Sequence, residues 1–143
     1  MPRTPRGFLP ESGVYHVTNR GVARCDIFHD DADRRLFVAG LRRLAEDLRW
    51  QCFVYCLMSN HFHLLIATSL TDLSDGMQRL QSPYAQRFNR RYARVGHLFQ
   101  ERFHARAIEG ELDFERVYEY VRNNPVAADL CAAAEDWPWT GSI

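Results

Sequence analysis

The feature that most constrains the fold is an apolar run over residues 51–71, QCFVYCLMSNHFHLLIATSLT, which contains no ionised side chain. Its length would suffice to cross a bilayer, but Ser59, Asn60 and two histidines fall in its middle. β-Branched and aromatic residues on both sides of a short polar turn are typical of a hairpin of two buried strands. The run therefore predicts paired strands and argues against a membrane helix.

The rest of the chain alternates between strand-like and helix-like patterns. Asp31 can cap the first helix, Ser82-Pro83 is expected to restart the second, and the last should end near Asn124 because a proline follows it. We predict strands at 14–21, 51–58, 61–68 and 103–108, and helices at 31–50, 70–96 and 110–126.

This β-α-β-β-α-β-α order matches the ferredoxin-like, or split βαβ, layout. We therefore predict an α+β fold with a four-stranded antiparallel sheet, two helices on one face and the C-terminal helix on the other. The whole chain, 1–143, is expected to form one domain with its core at about 14–139.

Composition restricts the compartment and the partners. Residues 1–13 lack the apolar segment of a signal peptide, so the four cysteines are expected to be reduced and the protein cytoplasmic. The net charge is zero, yet all 18 basic residues are arginine. Seven arginines and one acid lie between Arg79 and Arg106, whereas eight acids and two arginines lie between Glu109 and Asp136. An arginine-rich surface of this kind is a candidate for phosphate binding.

Two histidines open the third predicted strand. Because strand side chains alternate, His61 and His63 point to one face, about 7 Å apart along the strand, and can converge on one metal ion. Two half-exposed polar residues are the plainer interpretation. Cys52 and Cys56 suggest a zinc site with them, but four residues of strand place the cysteines about 13 Å apart, too far for one tetrahedral ion.

The last helix carries Tyr120 and Asn124, which four-residue spacing places on one face. An amide oxygen is a hard ligand suited to magnesium or manganese, and a phenol can act as a nucleophile. By themselves, two aromatics on an amphipathic helix are more often packing residues.

Five motifs in order change this balance: YHVTNRG, MSNHFHLLI, MQRL with YAQRFNRRYARVGHLFQERF, EYVRNNPV and DWPW. Together, from Val14 to Trp139, they strongly resemble the REP-associated tyrosine transposases, part of the single-tyrosine HUH transposase superfamily. The resemblance implies a bacterial enzyme, nucleoid-associated when acting, that cuts single-stranded DNA beside a short hairpin with a divalent cation, Mg²⁺ or Mn²⁺. Such enzymes form a 5′-phosphotyrosine link and leave a free 3′-hydroxyl.

The resemblance also implies residue roles. His61 and His63 correspond to the metal ligands, Asn124 to a polar position that completes the metal site, and Tyr120 to the nucleophile. His16 alternates with Tyr15 on the first strand and can face the site, but it is not expected to bind metal. The sequence departs from the family pattern at Ser59, at Ser82-Pro83 and at Asp129, where a glycine is usual.

Arginines are expected to contact the DNA phosphates, with Phe88, Tyr92 and Phe99 as possible stacking platforms for bases. A solvated face for the arginines and a core position for Phe88 are the alternatives. The predicted DNA-binding set is Arg20, Arg87, Arg90, Arg91, Arg94, Arg102 and Arg106.

Two other functions compete with the nuclease. One is a catalytically inactive domesticated module that holds hairpin DNA or RNA without cutting it. The other is a structural zinc protein. The sequence leaves open whether the protein is a monomer or a homodimer, and whether Tyr120 acts on its own subunit's histidines or on a partner's.

Overall fold

A central antiparallel sheet organises the computed structural model, which describes residues 12–143. The strands are β1 (Ser12–Arg20), β2 (Gln51–Leu57), β3 (His61–Ser69), β4 (His104–Ala107) and β5 (Thr140–Gly141), and the helices are α1 (Asp31–Leu48), α2 (Leu70–Arg91) and α3 (Gly110–Ala127). The sheet order is β4-β1-β3-β2-β5. Its first four strands have the predicted ferredoxin-like arrangement, and β5 adds a fifth strand that two residues are too short to reveal by pattern.

One face of the sheet is covered by α1 and α2. The central strand β3 turns Phe62, Leu64 and Ile66 toward these helices, and all three are fully buried. Phe37 and Leu41, at helical spacing on α1, pack in the same cluster. This larger core fixes β3 and, because strand side chains alternate, commits its histidines to the opposite face.

Helix α3 covers part of that opposite face. Val117 and Val121, one helical turn apart, pack against Val54 and Leu65 of the sheet. Burial of each valine side chain stabilises the fold by about 1.5–3 kcal/mol, which is enough to fix the rotation of α3 about its axis. The predicted placement of the last helix on the other face is therefore confirmed.

Helix boundaries differ from the predictions at several points, one of which is the end of α2 at Arg91 rather than Gly96. Asp30 rather than Asp31 caps α1, accepting the Asp33 N–H at 3.0 Å. Helix α2 runs through Pro83 without a restart, and α3 continues through Pro125 to Ala127. Tertiary contacts explain why α2 continues through Pro83. Gln81 and Tyr84, on either side of this proline, are buried against the sheet and hydrogen-bonded to residues across the core.

No helix in residues 12–143 is long and apolar enough to cross a membrane. The hydrophobic run at 51–71 instead forms β2 and β3 and the first turn of α2, as the hairpin prediction requires. The expectation that the N-terminus is not a signal peptide concerns residues 1–13, and residues 1–11 lie outside the described part of the chain.

Candidate active site

The two histidines of β3 sit where the sheet begins a hairpin. The tight turn at Ser59-Asn60 is closed by a hydrogen bond from the Met58 N–H to the His61 carbonyl, 3.0 Å long. His61 is half-buried and His63 is buried, and their ring centroids are 5.1 Å apart at nearly right angles. Alternation along β3 therefore brings both imidazoles to the α3 face, as predicted.

His61 is held from both sides by amide side chains. Its Nδ1 lies 2.7 Å from Asn60 Oδ1, and its Nε2 lies 3.2 Å from Asn124 Oδ1. Donation of the Nδ1 proton to Asn60 leaves a lone pair on Nε2 facing the amide oxygen of Asn124. The lone pairs of His61 Nε2 and Asn124 Oδ1 then face and repel each other, and a cation bound between the two atoms would relieve this repulsion.

A third imidazole, from β1, joins the pair. The ring of His16 lies nearly parallel to that of His63, with centroids 5.3 Å apart and an interplanar angle of 12°. Its Nε2 lies 3.0 Å from His63 Nδ1. The remaining nitrogen of His63, Nε2, is buried and has no hydrogen-bond partner among the described residues. His16 is thus part of this site, and strand alternation alone did not identify its neighbour on β3.

Helix α3 supplies the phenol and the amide because of the way its apolar stripe is buried. Val117, Val121 and Pro125 face inward at four-residue spacing. Tyr120 directly precedes Val121, and Asn124 directly precedes Pro125. Because one position is about 100° around the helix, both side chains lie along the edge of the buried stripe. That edge faces the histidines.

Tyr120 lies against the imidazoles but remains accessible. Its ring meets His63 edge-on at 5.5 Å and His16 edge-on at 6.1 Å between centroids. The side chain is 56% exposed, which is unusual for a large aromatic residue beside a core. A phenol so placed can approach a substrate from solvent while its ring stays anchored on the histidines.

Burial keeps all three imidazoles neutral at neutral pH. It lowers the pKa of His63 well below its usual range, an effect that His16 and His61 reinforce. It also lowers the pKa of His61, partly offset by the hydrogen bond to Asn124. Burial, followed by the Arg106 guanidinium, lowers the pKa of His16 to about 4. Neutral imidazoles retain the lone pairs that metal ligation needs.

The donor set fits a hard divalent cation. Within residues 12–143, no three His, Cys, Asp or Glu side chains converge as a ligand set. The side chains that would hold a divalent cation at this position are His61, His63 and, through its amide oxygen, Asn124. The 3.2 Å between His61 Nε2 and Asn124 Oδ1 compares with about 3 Å between adjacent ligands of an octahedral magnesium ion.

The cysteines take no part in this site. The strand pairing is irregular between Cys52 and Val54, and this irregularity turns Cys52 and Cys56 to opposite faces of the sheet. Cys52 is in the core under α1 and α2, whereas Cys56 is in the cluster under α3. A shared zinc ion is therefore excluded, and both thiols are core residues, as predicted.

Two of the predicted DNA-binding arginines are held in ion pairs. Arg91 bridges Asp30 at 2.6 Å and the buried Asp33 at 2.7 Å, which ties the end of α2 to the start of α1. Arg106 forms a paired contact with Asp113, both distances being 2.9 Å. These carboxylates offset much of the charge that the two arginines would present to a phosphate.

The other five arginines are more available. Arg20 is exposed at the end of β1, directly across the ladder from His61, and its Nε donates to Gln100. Arg94 is half-buried and donates to a side-chain amide and a carbonyl. The remaining three are exposed and form no ion pair within residues 12–143: Arg87, Arg90 and Arg102.

The aromatic residues near these arginines are structural. Phe88 and Phe99 are buried to 2% and 7% exposure in the core. Tyr92 donates its hydroxyl hydrogen to Asp33 at 2.7 Å. Phe88 thus has the core position expected from its spacing, and Phe99 is also unavailable for stacking on bases.

Comparisons with known proteins agree with the fold. The fold matches that of a REP-associated tyrosine transposase whose structure was solved bound to a REP hairpin, with a TM-score of 0.75, 17% identity, and coverage of 98% of this chain and 82% of that one. A Deinococcus radiodurans R1 protein assigned as a transposase has a TM-score of 0.54 and 18% identity, with 85% and 97% covered. No curated protein matches by sequence. Residues 11–124 match the model of the IS200-like transposases, and the chain therefore belongs to that family.

Proposed function

We propose that this protein is a metal-dependent single-strand DNA endonuclease and strand transferase that cuts beside hairpin DNA. The observation that carries the proposal is the convergence of His61, His63, Asn124 and Tyr120 from two elements far apart in sequence. Membership of a transposase family supports the same conclusion. A protein that only binds DNA has no need of an accessible phenol against buried, neutral imidazoles.

In this proposal Tyr120 is the nucleophile. Its hydroxyl oxygen forms a bond to the scissile phosphorus as the bond from phosphorus to the 3′ oxygen breaks. The phenol loses its proton, and the departing 3′ oxygen ends as a hydroxyl. The product is a 5′-phosphotyrosine link, whose bond energy allows another 3′-hydroxyl to reverse the step.

The other residues bind and orient. His61, His63 and Asn124 would hold a divalent cation, Mg²⁺ or Mn²⁺, which when bound neutralises charge on the phosphate and aligns it for in-line attack. The edge-on packing of Tyr120 against His63 and His16 keeps the phenol beside that position. Arg20 lies across the ladder from His61 and is suited to bind an adjacent phosphate.

The DNA partner follows from the arginine surface and the family. The solved structure most relevant here holds a REP hairpin. We infer that exposed arginines on α2 and near β4 contact the backbone of such a hairpin, with the single strand leading to Tyr120. We expect the whole chain to act as one domain in the bacterial cytoplasm.

A trapping experiment tests the proposal. Hairpin oligonucleotides from DNA flanking the gene, labelled at either end, are incubated with the protein in Mn²⁺, Mg²⁺ or EDTA and separated on a denaturing gel. We expect the 3′-labelled fragment to become attached to protein and the 5′-labelled fragment to be released with a 3′-hydroxyl. The adduct should require metal.

Two variants and a control assign the residues. Tyr120→Phe and His61→Ala should lose the adduct while keeping hairpin binding. Tyr118→Phe, on the same helix but half-buried against Phe114, is the matched control and should keep the adduct. If the hairpin binds tightly and no adduct forms with any metal, the protein is instead a hairpin-binding module without nuclease activity.

A further inference from the structure

The buried His63 imidazole is satisfied on only one side. Its Nδ1 contacts His16 Nε2 at 3.0 Å, whereas its Nε2 has no partner among the described residues. A buried polar nitrogen left without a partner costs about 1–3 kcal/mol, so its environment calls for an explanation.

The hydrogen bond between the two rings can be made in two ways, because a neutral imidazole carries one proton. If His16 Nε2–H donates, the proton of His63 stays on Nε2, where nothing accepts it and no cation can bind. If His63 Nδ1–H donates, the lone pair of His63 lies on Nε2 and faces the site. Only the second arrangement gives Nε2 a role.

The neighbouring histidine shows the same pattern. His61 Nδ1 contacts the side-chain oxygen of Asn60 at 2.7 Å, and its Nε2 faces Asn124. Both amide oxygens are acceptors, and the shorter contact, to Asn60, favours the form of His61 that carries its proton on Nδ1. Both imidazoles of β3 thus have Nδ1 engaged from behind and Nε2 turned to the site.

We propose that His16 is a positioning residue, which accepts the Nδ1–H of His63 and thereby holds Nε2 of His63 as the metal-binding atom. The inference rests on the proposed function, because it assigns a role toward the same cation. The two rings lie edge to edge in nearly parallel planes, the orientation that an in-plane N–H···N hydrogen bond requires.

The first test needs neither metal nor activity. Long-range ¹H–¹⁵N correlation spectra of the metal-free protein distinguish a histidine protonated on Nδ1 from one protonated on Nε2. We expect His63 to be protonated on Nδ1 and His16 to be unprotonated on Nε2. A His63 proton on Nε2 in the wild-type protein would overturn the inference.

Variants of His16 test the consequence for metal binding. His16→Phe keeps an aromatic ring but removes the acceptor, and should weaken Mn²⁺ binding, measured by electron paramagnetic resonance, by about 10–100-fold. His16→Gln restores a side-chain oxygen and should recover most of the affinity. His104→Phe, on the same face but two strands from His63, is the control for loss of a nearby histidine.

The outcomes separate this inference from the proposed function. Unchanged Mn²⁺ affinity in His16→Phe would refute the positioning role even if the wild-type enzyme cuts DNA. A wild-type protein that binds no Mn²⁺ would refute the metal-dependent nuclease, whereas the spectra would still decide which nitrogen of His63 carries the proton. The Nδ1–H tautomer in wild type, lost in His16→Phe and regained in His16→Gln, supports the inference.

Discussion

At the residue scale, the site depends on which atom of each side chain faces inward. His61 and Asn124 are 63 positions apart in the chain, yet their Nε2 and Oδ1 atoms approach to 3.2 Å. The short contact of His61 Nδ1 with Asn60, its neighbour in the chain, favours a proton on Nδ1. The resemblance to the transposase family implied this ligand set, but the atoms that face each other are a property of the folded chain.

Replacement of Asn124 tests its place in the ligand set. Asn124→Ala removes an oxygen donor and should weaken Mn²⁺ binding by at least about tenfold, whereas Asn124→Asp keeps an oxygen there and should preserve binding. Asn123→Ala, an exposed neighbour bonded to Glu119, is the matched control. Isothermal titration of the three variants gives the comparison, and equal affinity in Asn124→Ala and Asn123→Ala would contradict the role of Asn124.

At the element scale, packing overrides local signals. Pro83 lacks the N–H that would bond the Arg79 carbonyl, and the sequence around it predicts a break. The helix nevertheless continues, because Gln81 and Tyr84 beside Pro83 are buried and bonded to Asn19 and to the Ile27 carbonyl. Just after the end of α3, Asp129 adopts a positive φ of 60°. A glycine, which adopts this conformation without strain, is usual at this position in the family that the sequence resembles.

The continuity of α2 has a measurable consequence. In an unbroken helix Pro83→Ala restores a backbone hydrogen bond at an exposed position and should stabilise the protein by about 1–3 kcal/mol. Ser82→Ala should change stability by less than about 0.5 kcal/mol, because Ser82 does not cap a helix start. Urea unfolding checks both. A loss of about 1 kcal/mol in Ser82→Ala would indicate instead that the helix restarts there.

At the scale of the whole molecule, the arginines divide into two groups. Arg91 is committed to the carboxylates of Asp30 and Asp33, whereas Arg87 and Arg90 point to solvent from the same helix. The sequence predicts a basic region but does not distinguish these groups, because the ion pairs of Arg91 join residues about sixty positions apart.

Hairpin affinity measured against salt concentration should separate the two groups. Arg87→Gln and Arg90→Gln should each reduce the slope of log affinity against log salt by about 0.7–0.9, as expected for one lost phosphate contact. Arg91→Gln should mainly lower the thermal unfolding temperature. If Arg91→Gln instead reduced the slope by the same amount as Arg87→Gln and left the unfolding temperature unchanged, Arg91 would be assigned to DNA binding.

The buried histidines make stability depend on pH. Below about pH 6.5 the unfolded chain binds protons on these residues, whereas folding lowers the pKa of His16 to about 4. The free energy of unfolding of the metal-free protein should therefore be greatest above about pH 6.5 and fall as the pH drops toward 4. His16→Gln removes one titrating group and should make the decline shallower by up to about 1.4 kcal/mol per pH unit, measured by urea unfolding in EDTA. Parallel curves for the two proteins would contradict this.

The sequence by itself determined the element order, the shared face of His61 and His63, and the burial of Phe62, Leu64 and Ile66. These follow from local periodicity, since side chains alternate along a strand and repeat each turn of a helix. Tertiary structure alone decided the contact of His16 with His63, the continuity of α2 through Pro83, and the commitment of Arg91 to ion pairs. Each depends on the register between strands or the packing between helices, which is set by long-range contacts that local pattern does not encode.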